Sequence, residues 1–226
     1  PTMAIDAKAK QMQRDGIDVI SLAAGEPDFD TPDHIKEAGI QAIRDGHTKY
    51  TQAAGIPELK EAILQRLVAD DGLEYTQDQV IVNCGGKHTL YLAGATLVSP
   101  GDEVIVPAPY WVSSSEQPKL VGGNTAIVQT SEADGLKLTA KRFREAITSK
   151  TKMVVLNTPS NPSGVVYTRQ ELEAVAEVAV EHGIHILSDE IYDKLIYDGV
   201  EHVSVASLSE QVKELTIVVK GVSKSY

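Results

Sequence analysis

Two patterns of apolar and polar positions alternate along the chain. Short apolar runs rich in β-branched residues occur at 79–83 (QVIVN), 103–106 (EVIV), 125–128 (TAIV), 152–157 (KMVVLN), 184–188 (IHILS) and 215–219 (LTIVV). Several are apolar throughout rather than alternating, the pattern of strands buried on both faces of a mostly parallel sheet. Longer segments with helical spacing lie between them. Pro57 stands where a first-turn proline is tolerated, Leu59, Ala62, Ile63 and Leu67 then share one face, and Gly72 closes the helix. Thr168 and Glu171 form a capping-box pair ahead of Leu172, Val175, Ala176 and Ala179, with Gly183 as the stop. Further helices are expected over 33–44 and 86–97. This alternation predicts an α/β fold, a mostly parallel sheet with helices on both faces and right-handed crossovers. The first thirty residues fit it poorly and read as a helix followed by an irregular arm.

Composition narrows the classes. Apolar residues make up 42% of the 226 and charged residues 23%, as in a globular domain. The formal charge of −11 argues against nucleic acid as a partner, and there is no blocked acidic or basic tail. One cysteine forms no internal disulfide. No apolar run approaches the roughly 20 residues of a membrane span, and residues 1–14 lack a signal peptide's apolar stretch. A cytoplasmic setting is expected.

Ligands of open parallel sheets bind beyond the carboxyl ends of the strands. After QVIVN come Cys84, Gly85, Gly86 and Lys87, opening a helix; after EVIV come Tyr110 and Trp111. After KMVVLN comes a proline-stiffened loop with Asn161, after IHILS come Asp189 and Tyr192, and after LTIVV comes Lys224. The Gly85–Gly86 turn suits a phosphate at a helix N-terminus, or simply permits a tight turn; neither a Walker loop nor a dinucleotide fingerprint is present. Asp189 is either a buried carboxylate in need of a cation or a helix cap. A lysine leaving an apolar strand suits Schiff-base chemistry, although most lysines are solvated surface groups. Trp111 reads as a core or edge aromatic and Cys84 as a small buried hydrophobe. The histidines show no metal spacing and no G-x-S-x-G elbow occurs.

These residues carry a family resemblance that runs almost end to end. The segments AAGEPDFDTP (23–32), KYTQAAGIPELK (49–60), GGK (85–87), PGDEVIVPAPYW (100–111), NTPSNPSG (157–164), SDEIYDKLIY (188–197) and GVSKSY (221–226) resemble class I aminotransferases of the fold-type I pyridoxal-phosphate enzymes, above all the bacterial aspartate branch. The resemblance implies the large, cofactor-binding domain of such an enzyme over 33–226, with 1–32 belonging to the small domain. It implies pyridoxal 5'-phosphate as cofactor, amino-acid and 2-oxo-acid substrates, and no metal. Lys224 would carry the cofactor and shuttle the α-proton, and Asp189 would pair with the pyridine nitrogen. Tyr192 and Asn161 would hydrogen-bond the ring oxygen, and Trp111 would stack on the ring. Gly85, Gly86 and Lys87 would supply the phosphate loop. Tyr50 would reach the phosphate of a neighbouring subunit, which implies a homodimer. Gly25 would meet the substrate carboxylate through its backbone, and Asn161 and Trp111 would also face the substrate. The Lys87 side chain would reach the distal carboxylate of an acidic substrate.

Two departures stand out. Many relatives carry a serine three residues before the lysine, where this chain has Gly221, with Ser223 as its possible substitute. The family's downstream phosphate-binding and carboxylate-binding arginines have no counterpart in these residues, so the resemblance implies a fragment, incomplete at the C-terminus and trimmed at the start. The implied reaction is amino transfer between aspartate and 2-oxoglutarate. Another amino acid or prephenate as substrate, decarboxylase or lyase chemistry on the same cofactor, and a cofactor-sensing domain of a regulator are the alternatives.

Overall fold

Five short strands pair in parallel in a computed structural model, which describes residues 2–21 and 25–226. They are β1 (Glu103–Ala108), β2 (Asn124–Gln129), β3 (Thr151–Asn157), β4 (His185–Asp189) and β5 (Thr216–Val219), in the spatial order β2-β1-β3-β4-β5. The described residues also form eight α-helices: α1 (Thr2–Arg14), α2 (Asp33–Arg44), α3 (Pro57–Asp71), α4 (Gly86–Leu97), α5 (Val112–Leu120), α6 (Ala140–Ala146), α7 (Arg169–His182) and α8 (Glu210–Leu215). None is long and apolar enough to cross a membrane.

The continuous apolar runs have a direct cause. Successive strand residues point to opposite faces, and both faces are covered. Ile105, Val154, Leu156 and Ile186 join one core with Phe143 of α6, Leu172, Val175 and Ala179 of α7, and Val212 of α8. Val104, Val106, Met153, Val155, Leu187 and Val219 join the other with Leu90 and Ala93 of α4. Thr168 and Glu171 form the expected capping box, and α3 and α7 end at Gly72 and Gly183.

Two expectations fail. Residues 80–83 are not a strand: a 3-10 turn (Gln77–Gln79) precedes them, and Val82 N–H bonds the Ala54 carbonyl rather than a ladder. The α3 face of Leu59, Ala62, Ile63 and Leu67 stays partly or fully exposed. The buried residue of α3 is instead Lys60, whose ammonium donates to the Gln77 carbonyl at 3.0 Å. Its aliphatic stem takes the place of an apolar side chain.

Packing divides the chain into residues 1–47 with 224–226, and residues 48–223. The first unit contains α1, α2 and an arm whose Leu22, Ala23 and Ala24, two of them part of the motif 23–32, lie outside the described residues.

Candidate active site

Within residues 48–223 the candidate residues gather at the carboxyl edge of β3, β4 and β5. Register does most of the positioning: Asn157 lies opposite Asp189, and Asp189 opposite Val219. Asn157 then works in two directions. Its amide donates to the Asp189 carbonyl (3.0 Å), and its side-chain oxygen accepts from Asn161 N–H (2.6 Å). The loop that follows is thus anchored, and Asn161 Nδ2 donates to the Tyr192 hydroxyl at 3.3 Å. The acid, the asparagine and the tyrosine singled out in the sequence therefore belong to one hydrogen-bonded edge.

Asp189 is 6% exposed. Its carboxylate accepts the Ile191 N–H at 3.3 Å and, among the described residues, forms no ion pair. Burial pushes its pKa up to about 6; the Glu190 charge adds to the rise and the Ile191 N–H opposes it. No α-helix begins here, only a turn over 191–194, so Asp189 is a buried acid rather than a helix cap.

The glycine loop lies beside this edge. A Cβ on Gly86 would come within 3.6 Å of Ile191 Cδ1 and 4.0 Å of Val219 Cγ1. Gly85, at φ 83°, turns the chain into α4 in a conformation that side chains rarely adopt. The first N–H groups of α4 have no intrahelical acceptor and, with the helix dipole, form a place for an anion. Trp111 caps α5, is half-buried and packs on the α4 side of the sheet; the Lys87 ammonium lies 5.0 Å from the centre of its ring. A shallow cleft lined by Tyr110, Trp111, Asn157 and Asn161 opens there. Tyr50 stands fully exposed. Cys84, expected inside, is exposed as well, because it sits on the loop and not on a strand.

In the unit of residues 1–47 with 224–226, the Lys224 ammonium donates to the Gly25 carbonyl at 2.9 Å. The structure thereby brings together two residues that the sequence separates by almost the whole chain.

One cluster escaped the sequence reading. Glu190 is fully buried, and its carboxylate accepts from Ser188 Oγ (2.8 Å), Ser204 Oγ (2.9 Å) and Val205 N–H (3.2 Å), with His202 Nε2 at 3.1 Å. The Lys220 ammonium lies 2.8 Å from Asp71, 2.8 Å from Asp193 and 3.5 Å from Glu190. These residues have no common spacing. The available signal was the pair of consecutive acids, Asp189 and Glu190, ending an apolar strand.

Comparisons with known proteins show the family and the fold. The family described as aminotransferase class I and II matches residues 17–226. An aspartate aminotransferase of Bacillus sp. strain YM-2 is 52% identical over 225 residues, covering all of this chain and 57% of the relative. An aspartate/prephenate aminotransferase of Thermus thermophilus is 45% identical over a similar span. The crystal structure of the aspartate aminotransferase from Rhizobium meliloti superposes with a TM-score of 0.94 at 42% identity, over 99% of this chain and 56% of that one. A Thermus thermophilus aspartate aminotransferase with maleate gives 0.94 at 45%, over 99% of this chain and 57% of that one. The chain thus spans somewhat more than half the length of the relatives it matches, and within that span sequence and fold agree: it belongs to the class I and II aminotransferase family.

Proposed function

We propose that this chain is the cofactor-binding portion of a pyridoxal-5'-phosphate-dependent aminotransferase that moves an amino group between L-aspartate and 2-oxoglutarate. Asp189 carries the reading. A buried carboxyl without a cation is the group that a protonated pyridine nitrogen completes. The other donors fit the same cofactor: Asn161 and Tyr192 for a ring oxygen, Gly85, Gly86 and Lys87 for a phosphate, and the Trp111 ring for stacking.

Bound there, the cofactor supplies an electron sink for charge leaving the substrate α-carbon. Asp189 holds a proton at the ring nitrogen. Lys224 is the attachment lysine, and its amine moves the proton at the substrate α-carbon, a positioned transfer worth about 10² to 10⁴-fold. The Gly25 backbone receives the substrate's α-carboxylate. The exposed Lys87 ammonium is the candidate for a distal carboxylate. The Thermus relative with maleate, a dicarboxylate, supports an acidic substrate, and relatives named aspartate/prephenate aminotransferase keep prephenate as a second substrate. On this reading residues 1–32 belong to the small domain and 33–226 to the large one. The enzyme is a cytoplasmic homodimer in which Tyr50 of one subunit serves the other's phosphate.

Borohydride reduction after incubation with pyridoxal phosphate tests the assignment. Peptide mass spectrometry is expected to find a phosphopyridoxyl adduct on Lys224 and none after Lys224→Ala. An unmodified Lys224, or retained transamination in Lys224→Ala, would overturn it.

A further inference from the structure

The mechanism above leaves the Glu190 cluster unused, although it begins one residue from Asp189. Ser188 and Glu190 touch each other, so they share one face of the strand end and Asp189 takes the opposite one. The Glu190 N–H donates to the Val219 carbonyl at 2.9 Å and carries the β4–β5 ladder one residue beyond Asp189. Burial works against a charge on Glu190, yet the hydrogen bond of His202 and the charge of Lys220, with Ser188, outweigh it and hold the pKa below the usual carboxylate range. Lys220 is likewise held charged against its burial by Glu190, Asp193 and Asp71. Tyr75 faces the same charges and is raised by burial and by Glu190, Glu210 and Asp71. Ligand atoms of Asp71, Glu190 and His202 lie within 4.8 Å of one another, a spacing that would suit a cation, but the Lys220 ammonium already supplies the positive charge.

We propose that Glu190 is a positioning residue for Asp189: a fixed, buried negative charge that biases the Asp189 carboxyl, and the ring nitrogen it faces, toward holding a proton. The proposal rests on the reading of Asp189 as the partner of that nitrogen. Asp71, Glu190 and Asp193 face Lys220, with His202 on Glu190; burial, with the Glu190 charge, pushes the Asp71 carboxyl up, so Glu190 is the fully buried carboxylate that the cluster holds ionised. Its field reaches Asp189 through a low-dielectric strand end that water does not screen. The Ser188, Ser204 and Val205 donors keep that charge in place, and the ladder bond to Val219 keeps the strand end rigid.

Two variants separate charge from packing. Glu190→Gln keeps an acceptor for Ser188, Ser204 and Val205 but removes the charge, and Lys220 retains Asp71 and Asp193. Glu190→Asp keeps the charge but loses reach. The first readout needs no cofactor: protonation of Asp189, followed by the carboxyl infrared band that Asp189→Asn deletes. Glu190→Gln is expected to lower its midpoint by about one pH unit. Glu190→Asp is expected to be the less stable of the two in urea yet to keep the wild-type midpoint. Ser204→Ala, which drops one contact and no charge, replaces Glu190→Asp if that variant does not fold. An unmoved midpoint in Glu190→Gln, or equal shifts in the charged and uncharged variants, would overturn the proposal. The second readout uses pyridoxine 5'-phosphate, which cannot link to lysine. Its ultraviolet absorbance reports ring protonation, and Glu190→Gln is expected to lose that proton at lower pH. If the wild type binds the probe but the variant's profile does not move, this proposal fails and the cofactor reading stands. If the wild type does not bind it, the cofactor reading fails and the proposal with it.

Discussion

A buried carboxyl without a cation destabilises its fold whenever it ionises, and Asp189, which has no cationic partner among the described residues, is such a group. Burial, aided by Glu190, raises its pKa from 3.8 to about 6. Below pH about 4 the folded and unfolded chains both hold the proton, and the group contributes nothing. Between about 4 and 6 the unfolded chain releases it first, so stability falls as pH rises; above that window the cost is constant, on the order of 3 kcal/mol. Asp189→Asn cannot ionise. We expect it to be more stable than wild type in urea at pH 7.5 by about that amount, to match wild type near pH 4, and to lose transamination by orders of magnitude. An equal difference at both pH values would assign the effect to packing. The sequence alone left Asp189 as a cap or a buried acid, because both readings place an acid at a strand end. What decides it is the turn that follows, which is set by tertiary contacts.

At the level of elements, one methyl group joins three of them. Ile191 Cδ1, in the turn after β4, lies 3.6 Å from the place of a Cβ on Gly86, at the start of α4, and 2.7 Å from one on Gly221, past the end of β5. The second distance is shorter than atoms tolerate, although the obstacle is the tip of a flexible side chain. Gly221→Ala is therefore expected to cost about 1–2 kcal/mol in urea unfolding. Ile191→Val in the same chain is expected to return part of that cost, because it removes the obstructing atom. Strictly additive losses would show that the two side chains do not meet. The same contact gives a physical reason for glycine at position 221. Periodicity revealed β1, β3 and β4 because consecutive residues of each are buried, β2 and β5 because each is still a short β-branched run, and α7 because its cap and stop are explicit. It misread 80–83, where an apolar run has no neighbouring strand to pair with. It missed α5, α6 and α8: α5 contains Pro118, and the other two span only seven and six residues, too short for a face to repeat.

At the scale of the whole molecule, the strand-end residues were readable because a parallel sheet delivers the segment after every strand to one edge. The cluster of Asp71, Glu190, His202 and Lys220 was not, since no spacing rule joins residues so far apart. Surface also matters at this scale. Helix α2 buries none of its residues, Ile43 is largely and Leu59 partly exposed, and Tyr50 is fully so. Apolar groups left open in one subunit fit the proposed homodimer, in which Tyr50 acts on the partner's phosphate. That role has a decisive test. Tyr50→Phe is expected to weaken pyridoxal phosphate binding about tenfold by losing one charge-assisted hydrogen bond. Lys224→Ala is expected to be inactive. A mixed dimer of the two variants has one site lacking both groups, and another pairing the intact Lys224 of one chain with the intact Tyr50 of the other. Unfolding and refolding equal amounts together, assayed at pyridoxal phosphate too scarce to fill the Tyr50→Phe sites, is therefore expected to add about a quarter of the wild-type activity to that of the Tyr50→Phe homodimers, since half of the dimers are mixed and each holds one complete site. If Tyr50 instead served its own subunit, every mixed dimer would hold one site without the lysine and one without the tyrosine, and the mixture would be no more active than its Tyr50→Phe component.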